Sequence, residues 1–241
     1  MKNQILMVGD SWTAGTRIQA LGFNTWPIWP ELIAKKLNMT FKNYADGGRG
    51  NEFIYNQVID NYDGEELIIV LWSHYDRWDF AHYSLSCNPY RGKDAYDGDD
   101  PTSREKKEKI FDVLMETELL NAKYNFNKSI RWIHAFQNFC EANKIKYMQA
   151  QAFHPAWELD QWNGINHFVD SPLLYYIDET HFLGWPLFKQ IGGFTMSDKL
   201  DEVDPDQSKL RVNFMYDPHP NEEGHKYITE LFYKFYRGLY D

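Results

Sequence analysis

A serine at position 11, in Met-Val-Gly-Asp-Ser-Trp, and a histidine at position 219, in Tyr-Asp-Pro-His-Pro-Asn, are of the types that nucleophilic catalysis requires. A hydroxyl attacks poorly until a base takes its proton, and that base needs an acid to hold its tautomer. Asp217 stands two residues before His219, and Pro220 stiffens the chain after it. Ser11 follows the apolar run Ile-Leu-Met-Val and the pair Gly9-Asp10, which puts it at the carboxyl end of a strand, where α/β sheets bind ligands. A hydroxyl there is close to a helix N-terminus, whose free N–H groups and dipole favour developing negative charge. Either residue alone has a structural alternative: Ser11 as a helix cap, His219 as a surface turn residue. Gly-Asp-Ser after the first strand together with Asp-x-His-Pro-Asn before the last helix points to chemistry.

The elements that must position this pair alternate between two periods. Residues 4–8 read as a short buried strand, and Pro30-Glu-Leu-Ile-Ala-Lys-Lys-Leu-Asn38 as a helix with Leu32, Ile33 and Leu37 on one face. Phe41-Lys-Asn-Tyr-Ala45 reads as a second strand, 51–61 as a helix, and 66–72 as the clearest strand of the chain. Residues 84–103 form a polar loop, whose Asp94, Asp97, Asp99 and Asp100 do not have EF-hand spacing. Helices are expected from Ser103 and from about Asn127, a strand over 146–153, and an amphipathic helix over 225–240. Residues 154–213 show no clear period and are expected to form a functional loop or lid. The expectation is α/β: a three-layer αβα sandwich with a mainly parallel, flavodoxin-like sheet, in a single domain over 1–241.

Composition narrows the partners. A net charge of -10 argues against nucleic acid, and no Lys/Arg stripe is seen. No run approaches the roughly 18 apolar residues needed to span a bilayer. The apolar stretch near the N-terminus is too short for a signal peptide, so a soluble protein without an export signal, cytoplasmic or phage-associated, is expected. Cys87 and Cys140 have no metal-site spacing and read as free thiols of a reducing compartment, with a single disulfide as the alternative. No cofactor and no metal are expected. The oligomeric state is not written in these residues.

Three blocks carry a family resemblance: Gly9-Asp-Ser11, Asn43-Tyr-Ala-Asp-Gly-Gly-Arg-Gly-Asn51 and Asp217-Pro-His-Pro-Asn-Glu-Glu-Gly-His225. On them the sequence resembles the SGNH, or GDSL, hydrolase family, with a divergent, phage-type character. The resemblance implies Ser11 as nucleophile, His219 as base and Asp217 as acid. It implies an oxyanion hole from the backbone N–H groups of Ser11 and Gly48. Two departures stand out. The usual Asp-x-x-His would place the acid at position 216, which is Tyr216. The usual Gly-x-Asn-Asp block is replaced by Trp72-Ser-His-Tyr-Asp-Arg77, without the Asn that donates to the oxyanion. Ser73, His74 or Asn51 are the candidates to replace it.

The function expected is a serine esterase or deacylase acting on a small-molecule or glycan ester, with carbohydrate O-acetyl groups as one substrate class. Substrate-binding candidates are Asp10, Arg77, Trp157 and Trp185, with Arg77 alternatively paired to an acid such as Asp79. Two other readings compete. Asp10, His74, Asp76, Asp217 and His219 would hold a divalent ion in a phosphoesterase, or the fold would bind a ligand without turnover.

Overall fold

The computed structural model describes residues 2–15, 26–80, 84–86, 101–118, 121–155, 161–213 and 217–241, excluding the side chains of 84–86, 161–163, 213 and 217. In chain order the elements are β1 (Lys2–Val8), α1 (Ser11–Ala14), α2 (Trp29–Leu37), β2 (Thr40–Asn43), α3 (Asn51–Asn61) and β3 (Glu65–Trp72). Then come β4 (Arg77–Asp79), β5 (Ser84–Ser86), α4 (Pro101–Glu116), α5 (Ala122–Asn143), β6 (Lys146–Gln151) and α6 (Gln161–Val169). Last are β7 (Phe182–Leu183), α7 (Met196–Val203), β8 (Arg211–Asn213), β9 (Asp217–Pro220) and α8 (Glu222–Tyr240).

Five strands make one parallel sheet in the order β2-β1-β3-β6-β7. Side chains alternate across its faces, and both faces are covered. Leu6, Val8, Ile68 and Val70 point to one side, where Ile54 and Val58 of α3, Ile130, Ile133 and Phe136 of α5, and Phe168 of α6 pack. Ile5, Met7, Leu67, Ile69 and Leu71 point to the other, against Trp29 and Ile33 of α2, Met196 and Leu200 of α7, and Ile228 and Phe232 of α8. This is the expected three-layer α/β sandwich, and it explains why the central strands read as unbroken apolar runs.

The strand order reverses between β1 and β3. The crevice at that switch lies beyond Val8 and Trp72, so Ser11 and Ser73-His74 both stand at its mouth. The turn out of β1 is tight. A Cβ on Gly9 would lie 2.2 Å from Thr13 Oγ1 and 3.1 Å from the Leu71 carbonyl oxygen, so only glycine allows this approach.

Several element ends differ from the sequence expectation, with local reasons. β2 stops at Asn43 because that side chain turns the chain: its Oδ1 accepts from Ala45 N and its Nδ2 donates to Thr13 O. α5 starts at Ala122 rather than near Asn127, because Asn121 caps it by accepting from Tyr124 N. α8 starts at Glu222, capped by Asn221, which accepts from Gly224 N. Residues 161–213 supply β7 and α7, and Phe182, Leu187 and Phe188 are buried in the core. That part of the stretch is framework. Its elements are too short for a period to show, although Thr195 and Asp198 form a capping box at the start of α7.

Candidate active site

Asp10, not Ser11, caps α1. Its carboxylate accepts from Trp12 N at 3.0 Å. Ser11 is the first helical residue, and its hydroxyl is left for another partner. That partner is His219, whose Nε2 lies 2.7 Å from Ser11 Oγ. Both side chains are partly exposed, as a nucleophile and a base that must meet substrate require.

The segment carrying His219 is braced. β9 pairs antiparallel with β8, and Asn221 Nδ2 donates to the carbonyls of Lys209 and Arg211. Gly224 sits so close to that segment that a Cβ would lie 2.2 Å from the Leu210 carbonyl oxygen. Behind it, His225 is buried and accepts from Trp29 N at 3.3 Å. Burial, with the nearby His219 adding to it, pushes the His225 pKa down to about 3, so it is neutral at physiological pH. Asp217 lies in β9 opposite Asn213; its side chain is outside the described residues, as is the whole of Tyr216.

A buried polar network fills the floor between β1 and β3. Arg77 Nη1 donates to Asp10 Oδ2 at 2.9 Å, to Ser73 Oγ at 2.6 Å and to the Arg49 carbonyl at 3.0 Å. Ser73 Oγ in turn donates to Asp10 Oδ2 at 3.2 Å. Asp10 is 0% exposed, so it cannot touch substrate and serves the framework instead. Arg77 is paired with Asp10 rather than with Asp79, because the Asp79 carboxylate accepts from Gly50 N and Phe53 N and caps α3.

The candidate oxyanion donors separate on the same grounds. The Ser73 hydroxyl is spent on Asp10 and is 0% exposed. Asn51 is spent on the Ser73 backbone, accepting from Ser73 N at 2.8 Å and donating to Ser73 O at 3.3 Å. His74 is partly exposed, and its ring lies over Phe153 with centroids 3.9 Å apart. Gly48 occupies an exposed turn with φ 77°, a left-handed conformation that glycine accommodates. Trp185 is partly buried and packs on the core against Phe168 and Phe182, while Trp157 lies outside the described residues.

Other expectations resolve in part. Among the described residues, no group of three or more His, Cys, Asp or Glu could hold a metal ion. Cys140 is a free, buried thiol, and Cys87 and the Asp94–Asp100 run lie outside the described residues. Among the described residues, no helix is long and apolar enough to cross a membrane. One residue the sequence reading did not single out is Arg211. It is 4% exposed and donates to Pro218 O, next to His219. A lone arginine in Leu-Arg-Val reads only as an amphipathic edge.

No family model matches the sequence, and no curated protein matches it. Solved structures do. A protein described as lipolytic, of the G-D-S-L family, from Desulfitobacterium hafniense superposes with a TM-score of 0.52 at 14% identity, over 97% of this chain and 99% of that one. LAE5, an α/β hydrolase from the metagenome of Lake Arreo, gives 0.53 at 12%, over 99% and 96%. The esterase EstA from Pseudoalteromonas gives 0.51 at 14%, over 98% of both chains. At these identities the likeness is one of fold, and that fold is the one the Gly-Asp-Ser and Asp-x-His blocks led us to expect.

Proposed function

We propose that this chain is a serine esterase or deacylase of the SGNH type, with Ser11 as nucleophile, His219 as general base and Asp217 as the acid behind it. The observation that carries this reading is the 2.7 Å contact between His219 Nε2 and Ser11 Oγ at the sheet's carboxyl edge. In the reaction, Ser11 Oγ attacks the ester carbonyl carbon as its proton passes to His219 Nε2. The tetrahedral oxyanion is met by the Ser11 N–H at the start of α1, by the Gly48 N–H and by the His74 ring, which takes the place of the missing Asn. His219 then gives the proton to the departing alcohol oxygen, leaving an acyl group on Ser11. Water, deprotonated by His219, releases the acid and restores the hydroxyl.

The role given to Asp217 is supported by the Asp-x-His spacing, since alternate residues of an extended segment share a face. His74 is preferred over Ser73 and Asn51 because the side chains of those two are already spent. The substrate class, O-acetyl groups on a carbohydrate, rests on the resemblance to the SGNH hydrolases, since Phe168, Phe182, Phe188 and Trp185 of the aromatic stretch pack in or against the core.

The test is turnover of p-nitrophenyl acetate and of an acetylated oligosaccharide by wild type and Ser11→Ala, each with and without EDTA. The reading expects activity that survives EDTA and disappears in the variant. Activity abolished by EDTA but kept in Ser11→Ala would replace it with the metal-dependent alternative.

A further inference from the structure

We propose that Arg211 is a positioning residue for the Ser11–His219 pair, fixing the strand that carries the histidine against the helix that carries the serine. The proposal rests on the serine-esterase reading for its kinetic consequence, but not for its geometry.

Arg211 is a charged side chain at 4% exposure, which is rare without full pairing. Its pairing reaches three parts of the fold. Nη1 donates to the Pro218 carbonyl at 2.7 Å, on the peptide that leads directly into His219. Nη2 donates to Ser197 Oγ at 2.8 Å and, more weakly, to Ser197 O at 3.4 Å. Nη2 also meets Asp201 Oδ1 at 2.6 Å. The guanidinium carbon Cζ lies over the ring of Trp12, the residue after Ser11, 5.5 Å from its centroid.

Those anchors are themselves tied to the carboxyl edge of the sheet. Ser197 N donates to Ala152 O, one residue past the end of β6, at 2.8 Å. Trp12 meets Phe153 edge-on, with centroids 5.7 Å apart, and its carbonyl accepts from Trp29 Nε1 at 3.0 Å. The guanidinium is therefore held by α7, lies over the Trp12 ring of α1 and grips β9. A rigid fork with several donors can do this; an ammonium group, a point charge on a flexible stem, cannot hold all of these contacts at once. A nucleophile and base misplaced by about 1 Å lose on the order of 10²-fold in rate. So Arg211 acts on the 2.7 Å contact through the Pro218 peptide, touching no reacting atom.

The experiment compares wild type with Arg211→Lys, and with Ser197→Ala and Asp201→Asn, which leave Arg211 in place but remove its anchors. Two readouts are taken on each: kcat and KM for p-nitrophenyl acetate, and the His219 ring resonances by NMR with and without Ser11→Ala. The second readout needs no catalysis. In wild type, Ser11→Ala is expected to shift the His219 resonances, because a hydrogen bond is lost. In Arg211→Lys that response is expected to shrink strongly, and kcat to fall about 10²-fold with KM within about twofold. The anchor variants are expected to move both readouts in the same direction by less. Folded variants that keep both the full Ser11-dependent shift and kcat would overturn the proposal. Should Arg211→Lys fail to fold, the two anchor variants decide by the same criteria. Absence of turnover in wild type, with the Ser11-dependent shift present and lost in the variants, would sink the esterase reading while upholding the role of Arg211.

Discussion

His219 Nε2 stands 2.7 Å from Ser11 Oγ across a sequence separation of 208 residues. The two come from opposite ends of the chain and meet because β1 lies inside the sheet, between β2 and β3, while β9 folds back over its carboxyl edge, against α1. If the pair works as a unit, its members cannot contribute independently. Ser11→Ala and His219→Ala are each expected to lower kcat by roughly 10⁴-fold or more, and the double variant to be no worse than the poorer single one. Additive losses in steady-state kinetics would mean that the two residues act separately.

Ser73 and His74 are neighbours with opposite expected phenotypes. His74→Ala is expected to lower kcat by about 10²–10³-fold with little change in KM, as for loss of an oxyanion donor. Ser73→Ala removes a hydroxyl that, among the described residues, is bonded to Asp10 and Arg77, so its effect belongs mainly to stability. Measuring kcat and the urea midpoint for both variants separates the two roles; a Ser73→Ala enzyme with the larger loss in kcat would reverse the assignment.

Asp10 and Arg77 form a mostly buried ion pair, with side-chain exposures of 0% and 18%. Removing one partner strands the other. Asp10→Asn is expected to cost about 3 kcal/mol of stability, the lower end for breaking a buried pair, because Arg77 retains some solvent. Arg77→Met in the Asp10→Asn background is expected to cost much less than it does alone. A double-mutant cycle by chemical denaturation measures this coupling, and additivity would contradict it.

His225 should make the fold acid-sensitive. Its pKa is down to about 3 in the folded chain, because burial penalises the cation, against about 6.5 unfolded. Between these values the unfolded state binds more protons, so folding stability is fully present above pH 6.5 and falls as the pH drops toward 3. The slope approaches about 1.4 kcal/mol per pH unit well below pH 6.5, and about 1.6 kcal/mol is lost between pH 6.5 and 5. His225→Asn keeps an acceptor for Trp29 N but does not titrate. Urea midpoints at pH 7, 6 and 5 are expected to fall more steeply for wild type than for the variant; parallel curves would show that His225 is not the group responsible.

The parallel sheet and the two segments that meet at its carboxyl edge were legible in the chain. β1 and β3 carry continuous apolar runs, over 5–8 and 67–72, because a parallel strand between two helical layers must be apolar on both faces, and that pattern is local and readable. The Gly-Asp-Ser turn and the segment before the last helix were legible for the same reason: turn and cap residues act on their near neighbours. Tertiary structure decided the rest. Asp10 reads as a substrate-binding candidate until it is found buried and paired with Arg77, which arrives from beyond β3. Asn51 and Ser73 read as free donors until the Asn51 amide is seen bonded to the Ser73 backbone and the Ser73 hydroxyl to Asp10. The two-residue strand β7 has no period to read and exists because Gln149 and Ala150 offer it an edge. Arg211 shows no motif at all; its meaning comes from Pro218, Ser197, Asp201 and Trp12 converging on one guanidinium. Spacing along a chain encodes which face a residue occupies, whereas hydrogen-bond partners drawn from distant loops are set only when the sheet brings those loops to a common edge.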